Sequence, residues 1–111
     1  VLCSGKIYYE LIEKRDKLKN TNVAIIRVEQ LFPLNIDFID KLYKKYNKSE
    51  IFWVQEEPEN MGAWTFILSK LRKYDIKLIS REESAATASG SAKDSLQKQQ
   101  LIIDQVFDNI N

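Results

Sequence analysis

The stretch WVQEEPENMGAW, residues 53–64, decides the fold because it contains a complete strand-to-helix transition. An apolar run at 51–54 leads into it and predicts a buried strand. Asn60 is a suitable N-cap for a helix over 61–74, where apolar residues recur at helical spacing. The acids just before Asn60 would then be stabilised electrostatically, since a helix N-terminus favours negative charge.

The same alternation of strand and helix continues along the chain. Residues 23–28, VAIIRV, are β-branched and apolar, as expected for a parallel strand covered on both faces. The predicted elements are strands at 1–3, 23–28, 51–54 and 76–79 and helices at 6–19, 35–46, 61–74 and 93–109. This order predicts one α/β domain over 1–111, with three layers (α/β/α) and a mainly parallel sheet of about four strands joined by right-handed crossovers.

Helix termini and buried faces can be predicted residue by residue. Ser4 is expected to cap the first helix, with Gly5 closely packed in the turn, and Asn35 to cap the second. Trp53 and Trp64 are expected to anchor the core rather than to stack on a ligand. The last helix is expected to bury Leu96, Ile103, Val106 or Phe107, and Ile110.

The composition excludes several functional classes. Seventeen basic and 16 acidic side chains leave a formal charge of +1, so no overall field attracts nucleic acid or an anionic membrane. Histidine is absent, which removes the commonest general base and any histidine-containing metal site. Cys3 is the only cysteine, so no internal disulfide forms, and it is expected to be a small buried apolar residue.

Targeting and membrane segments are not visible in the sequence. No apolar run approaches the roughly 18 residues of a membrane span, and no signal peptide can be recognised. The chain opens on VLC without an initiator methionine, inside an expected strand. We therefore expect a piece of a longer polypeptide, the alternative being a processed or tagged short protein.

The unusual polar residues follow the predicted strands. They lie in the segments SGK (4–6), EQLFP (29–33), QEEPEN (55–60) and SREES (80–84). Segments after the carboxyl ends of parallel strands share one edge of the sheet, which is where open α/β sheets form their sites. The opposite loops are rich in lysine and asparagine. The sequence therefore predicts a polar, acid-rich working edge.

Each polar motif at this edge also has a structural interpretation. Glu56 and Glu57 are adjacent in an extended segment, so they point in opposite directions and do not readily share one substrate atom. Helix capping or an interface explains these acids better than catalysis. The turn at 4–6 lacks the preceding glycine of a phosphate loop. Arg81, next to the acids at 82–83, could bind an anion or pair with the acids across the edge, and both interpretations remain open.

Taken together and in order, the edge motifs resemble a known family. VLCSGKIYYEL, VAIIRVEQLFP and WVQEEPENMGAW are similar to the C-terminal domain of the thiamine-diphosphate-dependent 2-oxoglutarate dehydrogenase component, and SREESAATASG with the later QKQQ matches its last loop and helix. Arg81, Ser84 and Gly90 match that loop. Ser80 stands where the family has glycine, Ala86-Thr87 replaces Ser-Pro, and the histidine near the last helix is missing.

The resemblance implies a transketolase-like C-terminal domain of an oxidoreductase. The parent enzyme decarboxylates 2-oxoglutarate in the tricarboxylic acid cycle and passes the succinyl group to the lipoyl-bearing succinyltransferase component of a multienzyme complex. Thiamine diphosphate and Mg²⁺ are held by the preceding domains, so this chain alone is expected to be inactive and to bind no cofactor. The implied location is the cytoplasm of a bacterium or the mitochondrial matrix.

The resemblance further implies a domain for assembly and regulation. Its expected partners are the remaining domains of the same chain, the second subunit of a homodimer, and a nucleotide or acyl-CoA effector. The interface or effector candidates are Arg27, Glu29, Gln30, Gln55, Glu56, Glu57, Asn60, Trp64 and Arg81. One alternative is the same domain of another 2-oxoacid dehydrogenase or of a transketolase-like enzyme. The other is a free-standing nucleotide-binding α/β module that uses the turn at 4–6.

Overall fold

The centre of the fold is a sheet of four parallel strands. The computed structural model describes residues 1–46, 49–81 and 92–109. The strands are β1 (Leu2–Cys3), β2 (Ile26–Arg27), β3 (Phe52–Pro58) and β4 (Lys77–Arg81), in the order β2-β1-β3-β4. Leu2 is paired with Ile26 on one side and with Trp53 on the other, so β1 lies inside the sheet. The predicted α/β class and parallel sheet are confirmed.

Helices cover both faces of this sheet. They are α1 (Ile7–Leu18), α2 (Ile36–Lys45), α3 (Trp64–Leu71), which continues into a 3₁₀ turn at Arg72–Tyr74, and α4 (Ala92–Asn109). The chain moves one way from β1 to β2 and the other way from β2 to β3 and on to β4. Crossovers of one hand therefore put α1 on one face and α2 and α3 on the other. The change of direction creates a switch point between β1 and β3.

The alternation of side chains along the strands divides the core into two layers. Cys3 and Val54 point toward α1 and α4, where they are buried with Val106 of α4. Their neighbours Leu2 and Trp53 point to the other face and are buried against α2 and α3. Trp53 is 1% exposed, which confirms its expected role as a core anchor. Trp64 is partly buried against the same layer.

The predicted buried face of the last helix is wrong in part. Leu96 is 71% exposed, because the buried side of α4 begins further along the helix. The predicted Ile103, Val106 and Phe107 are buried, together with Ile102, which lies beside them on the helix. Ile110 is outside the described residues.

The strand boundaries differ from the predicted ones at the carboxyl edge. β2 is limited to Ile26–Arg27 rather than 23–28. β3 continues to Pro58, and β4 to Arg81, because the two strands pair again after an irregularity between Val54 and Pro58. Proline is tolerated there because the strand ends at it. Gln55, Glu56 and Glu57 consequently lie in a strand and not in a loop.

Two of the three predicted helix caps are wrong. Asn35 does cap α2, since its Oδ1 accepts a hydrogen bond from the backbone N–H of Phe38 at 3.0 Å. Ser4 does not cap α1, because two turn residues separate it from the helix, and Lys6 occupies the N-cap position. Gly5 is required for its φ of +81° and not for close packing, since nothing lies within 4 Å of a Cβ built there.

The third helix begins later than predicted. Asn60 lies in a turn in which the Met61 N–H donates to the carbonyl of Pro58 at 2.9 Å, so it does not cap α3. Gly62 has a φ of +69°, which interrupts a helical path. The N-cap position is Ala63, and α3 starts at Trp64. The segment between β3 and α3 is therefore a short ordered turn rather than the first turn of a helix.

Candidate functional site

The carboxyl edge of the sheet carries an open groove at the switch point. The groove has a volume of about 610 Å³ and lies between the ends of β1 and β3. Its apolar wall consists of Leu31 and Phe32, from the loop after β2, and Phe66 of α3. Its polar wall includes Gln55 and Glu57. We call it the switch-point groove, and it lies where the sequence predicted a working edge.

The side chain of Gln55 organises the polar wall. It is 3% exposed, and its Oε1 accepts a hydrogen bond from Trp53 Nε1 at 3.0 Å. Its Nε2 donates to the carbonyls of Glu57 at 3.1 Å, Pro58 at 2.9 Å and Met61 at 2.9 Å. An indole N–H can only donate, so the Trp53 contact determines which end of the amide faces the turn. One side chain thus binds the core tryptophan and three carbonyls of the turn.

The backbone of Gly62 packs closely against the side chains of Gln55 and Glu57. A Cβ built on Gly62 would lie 2.9 Å from Glu57 Oε2 and 3.1 Å from Gln55 Oε1. Only glycine allows the backbone to come this close to both side chains while keeping a positive φ. The carboxylate of Glu57 is therefore held over the turn, at the wall of the groove.

Glu56 points away from Glu57, as adjacent residues of a strand must. Its Oε1 accepts a hydrogen bond from Gln99 Nε2 of α4 at 2.7 Å. The same Nε2 donates to Glu10 Oε2 of α1 at 2.8 Å, and Gln99 Oε1 accepts from Arg81 at 3.3 Å. Glu56 and Arg81 thus belong to a network with α1 and α4, and Glu56 also contributes to the lining of the switch-point groove. The two glutamates do not form a shared acid–base pair.

Gln99 is the functional candidate that sequence reasoning missed. It joins two carboxylates and an arginine from three different elements. In the sequence it is one of three glutamines within QKQQ, and nothing in that stretch distinguishes it from its neighbours. The only available signal is positional, because it lies four residues before the buried Ile103 on α4.

The remaining candidates lie beside a second groove at the end of β2. This groove has a volume of about 510 Å³ and is lined by Arg27, Glu29 and Gln30, among others. The Arg27 guanidinium donates to Tyr9 Oη at 3.2 Å and lies 5.3 Å from the centre of the Tyr9 ring. It is also 3.9 Å from a carboxylate oxygen of Glu29. Gln30 donates to the carbonyl of Phe32 at 3.4 Å.

The predicted site residues therefore fall into separate groups. Gln55 and Glu57 line the switch-point groove, Glu56 and Arg81 join Gln99, and Arg27, Glu29 and Gln30 line the second groove. Asn60 lies in the turn after β3, and Trp64 lies at the start of α3. The acids at 82–83, with Ser84 and Gly90, are outside the described residues.

Few of the described residues have the chemistry of a catalyst. Burial raises the pKa of the Cys3 thiol to about 11, so this thiol stays protonated at neutral pH and is a poor nucleophile. Hydrogen bonds from Tyr74 and Lys44 lower the pKa of Asp40, but this group lies on α2, away from the carboxyl edge. None of the described helices has the length and hydropathy that a membrane span requires.

Comparison with known proteins identifies the family. Residues 1–107 match the model described as "2-oxoglutarate dehydrogenase C-terminal". The chain belongs to this family. It is 42% identical over 120 residues to the 2-oxoglutarate dehydrogenase E1 component of Rickettsia typhi, with 99% of this chain and 13% of that protein covered. It therefore spans about an eighth of the length of that relative.

Relatives in other organisms also match this chain. The multifunctional 2-oxoglutarate metabolism enzyme of a Mycobacterium species is 46% identical over 114 residues, which cover 96% of this chain and 9% of that protein. The mitochondrial 2-oxoglutarate dehydrogenase of Caenorhabditis briggsae is 37% identical over 114 residues, which cover 96% of this chain and 11% of that protein. The resemblance inferred from the edge motifs is thereby confirmed.

The residues described do not fit the thiamine diphosphate and magnesium ion implied by the family. Within 1–46, 49–81 and 92–109, no three histidine, cysteine, aspartate or glutamate side chains are grouped to hold a metal ion. The charged side chains at the switch-point groove are carboxylates, which repel a diphosphate. We therefore assign no step of thiamine chemistry to this domain.

The hydrogen bonds of Gln55 can be tested with an isosteric change. Gln55→Glu keeps the shape but replaces the donating amide by a carboxylate that faces three carbonyls. We expect it to lower the free energy of unfolding of the 111-residue chain by about 2 to 4 kcal/mol at pH 7. The matched control is the reverse change on the same strand, Glu56→Gln, whose partly exposed side chain should cost less than about 1 kcal/mol. Equal urea midpoints for the two variants would contradict the assigned role of Gln55.

The close approach at Gly62 can be tested against the second glycine of the edge. Gly5→Ala changes only backbone conformation, so we expect a loss of about 1 kcal/mol in the free energy of unfolding. Gly62→Ala adds contacts of its Cβ with Glu57 and Gln55, so we expect at least about 1 kcal/mol more. Chemical denaturation of both variants measures the difference. Equal losses would show that Gly62 serves only its positive φ.

Proposed function

We propose that this chain is the C-terminal assembly domain of a 2-oxoglutarate dehydrogenase E1 component. The observation that carries the proposal is the carboxyl edge, where Gln55 binds the turn after β3 and aromatic side chains are exposed to solvent. The family match over 1–107 supports the parentage. The relatives' lengths support a larger protein, because the chain covers 9–13% of the three relatives compared.

The exposed aromatic residues of the edge support an interface. Phe32 is 81% exposed, Tyr9 60% and Phe38 50%. Each lies in a segment that follows a strand, and each adjoins one of the two grooves or stacks with a residue that lines one. Exposed aromatic rings beside an arginine are typical of contact surfaces between proteins. Burial of these rings against the rest of the enzyme would remove them from water.

The activity proposed for the complete enzyme is the oxidative decarboxylation of 2-oxoglutarate. It uses thiamine diphosphate and Mg²⁺, which we place in other domains of the enzyme, and it transfers the succinyl group to the lipoyl-bearing component of the complex. The domain described here contributes to the homodimer and to the packing of the subunit. The proposed location is the bacterial cytoplasm or the mitochondrial matrix, in line with the bacterial and mitochondrial relatives.

Regulation is the second part of this proposal. A nucleotide or acyl-CoA effector is anionic, and Arg27 and Arg81 are two arginines of the carboxyl edge that could bind it. The Arg27 guanidinium lies over one face of the Tyr9 ring. Because a guanidinium is planar and stacks on rings, its other face could form one wall of a site for a planar base. Such a site would be completed by the neighbouring domains.

The assembly role can be tested in the complete enzyme. We expect the double variant Phe32→Ala, Phe38→Ala to weaken docking of the carboxyl edge by roughly tenfold or more, because two aromatic anchors are lost. The measurement is hydrogen exchange of the segments at 29–34 and 59–63, together with turnover. Leu101→Ala is the control, because Leu101 is 66% exposed on α4 and lines neither groove. Unchanged exchange and turnover in the double variant would contradict the proposal.

A further inference from the structure

The switch-point groove combines an apolar wall with an unneutralised carboxylate. Glu57 is exposed, and its side chain has no hydrogen bond or ion pair with any residue of the described ranges. No lysine or arginine lines the groove. Lys70 is the nearest cation of α3, and its Nζ lies over the Phe66 ring at 5.7 Å instead of pairing with Glu57.

The backbone that carries this carboxylate is positioned before any partner arrives. The Gly62 backbone lies directly beneath Glu57 Oε2, and the Glu57 carbonyl accepts a hydrogen bond from Gln55 at 3.1 Å. A charged group that is already positioned loses little conformational freedom on binding. It can therefore select a partner by charge as well as by shape.

The exposure of Phe32 favours a polypeptide partner over a small molecule. Its ring is 81% exposed at the rim of the groove and meets Phe66 edge-on, with the ring centres 6.4 Å apart. A molecule inside the groove would leave the outer side of this ring in water. A polypeptide segment lying across the rim would cover it.

Arginine is the side chain that matches these two features together. Its guanidinium binds a carboxylate through two parallel hydrogen bonds and also stacks on an aromatic ring. The groove presents the Glu57 carboxylate and the Phe32 and Phe66 rings on neighbouring walls. Lysine would satisfy the charge but not the planar stacking.

We infer that the switch-point groove receives an arginine-bearing apolar segment from another part of the same enzyme, with the guanidinium placed between Glu57 and the Phe32 ring. The inference rests on the proposed assembly function and adds the chemistry of the partner. It also distinguishes Glu57 from the other glutamates of the edge, because Glu56 is bound by Gln99 and Glu59 does not line the groove.

The test uses the complete enzyme with the photoreactive analogue p-benzoylphenylalanine in place of Phe32. After irradiation, mass spectrometry identifies the cross-linked peptide. We expect a peptide from outside the region that corresponds to this chain, containing an arginine next to apolar residues. Glu57→Arg should lower the cross-linking yield roughly tenfold, because like charges then face each other. Its matched control, Glu59→Arg, introduces the same charge two residues away and should change the yield by less than about twofold.

A second substitution completes the test. Replacing the identified arginine by glutamate in the Glu57→Arg background should restore the yield to within about twofold of the original enzyme. A cross-linked peptide without a basic residue, or equal yields for Glu57→Arg and Glu59→Arg, would overturn the inference and leave the assembly function standing. Absence of any cross-link, with Phe32 still accessible in the assembled enzyme, would overturn both.

Discussion

The carboxyl edge depends on one buried amide, that of Gln55. A buried side-chain amide must satisfy both its donors and its acceptor, and Gln55 does so by binding Trp53 in the core and three carbonyls in the turn that follows. This requirement keeps β3 extended to Pro58 and holds the next four residues in a compact turn before Ala63. The position of Glu57, the close approach of Gly62 and the start of α3 all follow from it.

The regular parts of the fold could be predicted from local patterns. The alternation at Trp53 and Val54 places one side chain in each layer of the core, and apolar periodicity located the four helices. The common direction of parallel strands also predicts that the polar segments share one edge of the sheet. These properties depend on residues that are close in sequence or on the general rules for parallel sheets.

The sequence-based predictions are wrong where a side chain determines the backbone conformation of residues further along the chain. Asn60 is a good N-cap by residue type, but the amide of Gln55 binds the Met61 carbonyl, and Gly62 has a positive φ. Ser4 has the same suitable chemistry, but the φ of Gly5 places it before the turn that leads into α1. In the candidate site, the partner of Glu56 is 43 residues away in sequence, on α4. No spacing rule reveals such a contact, which exists only after the sheet and helices have packed.

The carboxyl edge therefore takes its shape from contacts within this chain. The two tryptophans of the chain allow a direct measurement, because Trp53 donates its indole N–H to Gln55, whereas the indole N–H of Trp64 has no hydrogen bond to the residues described. Hydrogen exchange of the two indole groups can be followed by NMR in the 111-residue chain. We expect Trp53 to exchange roughly a hundredfold more slowly than Trp64. Similar rates for both would contradict the claim that Gln55 holds the edge in place.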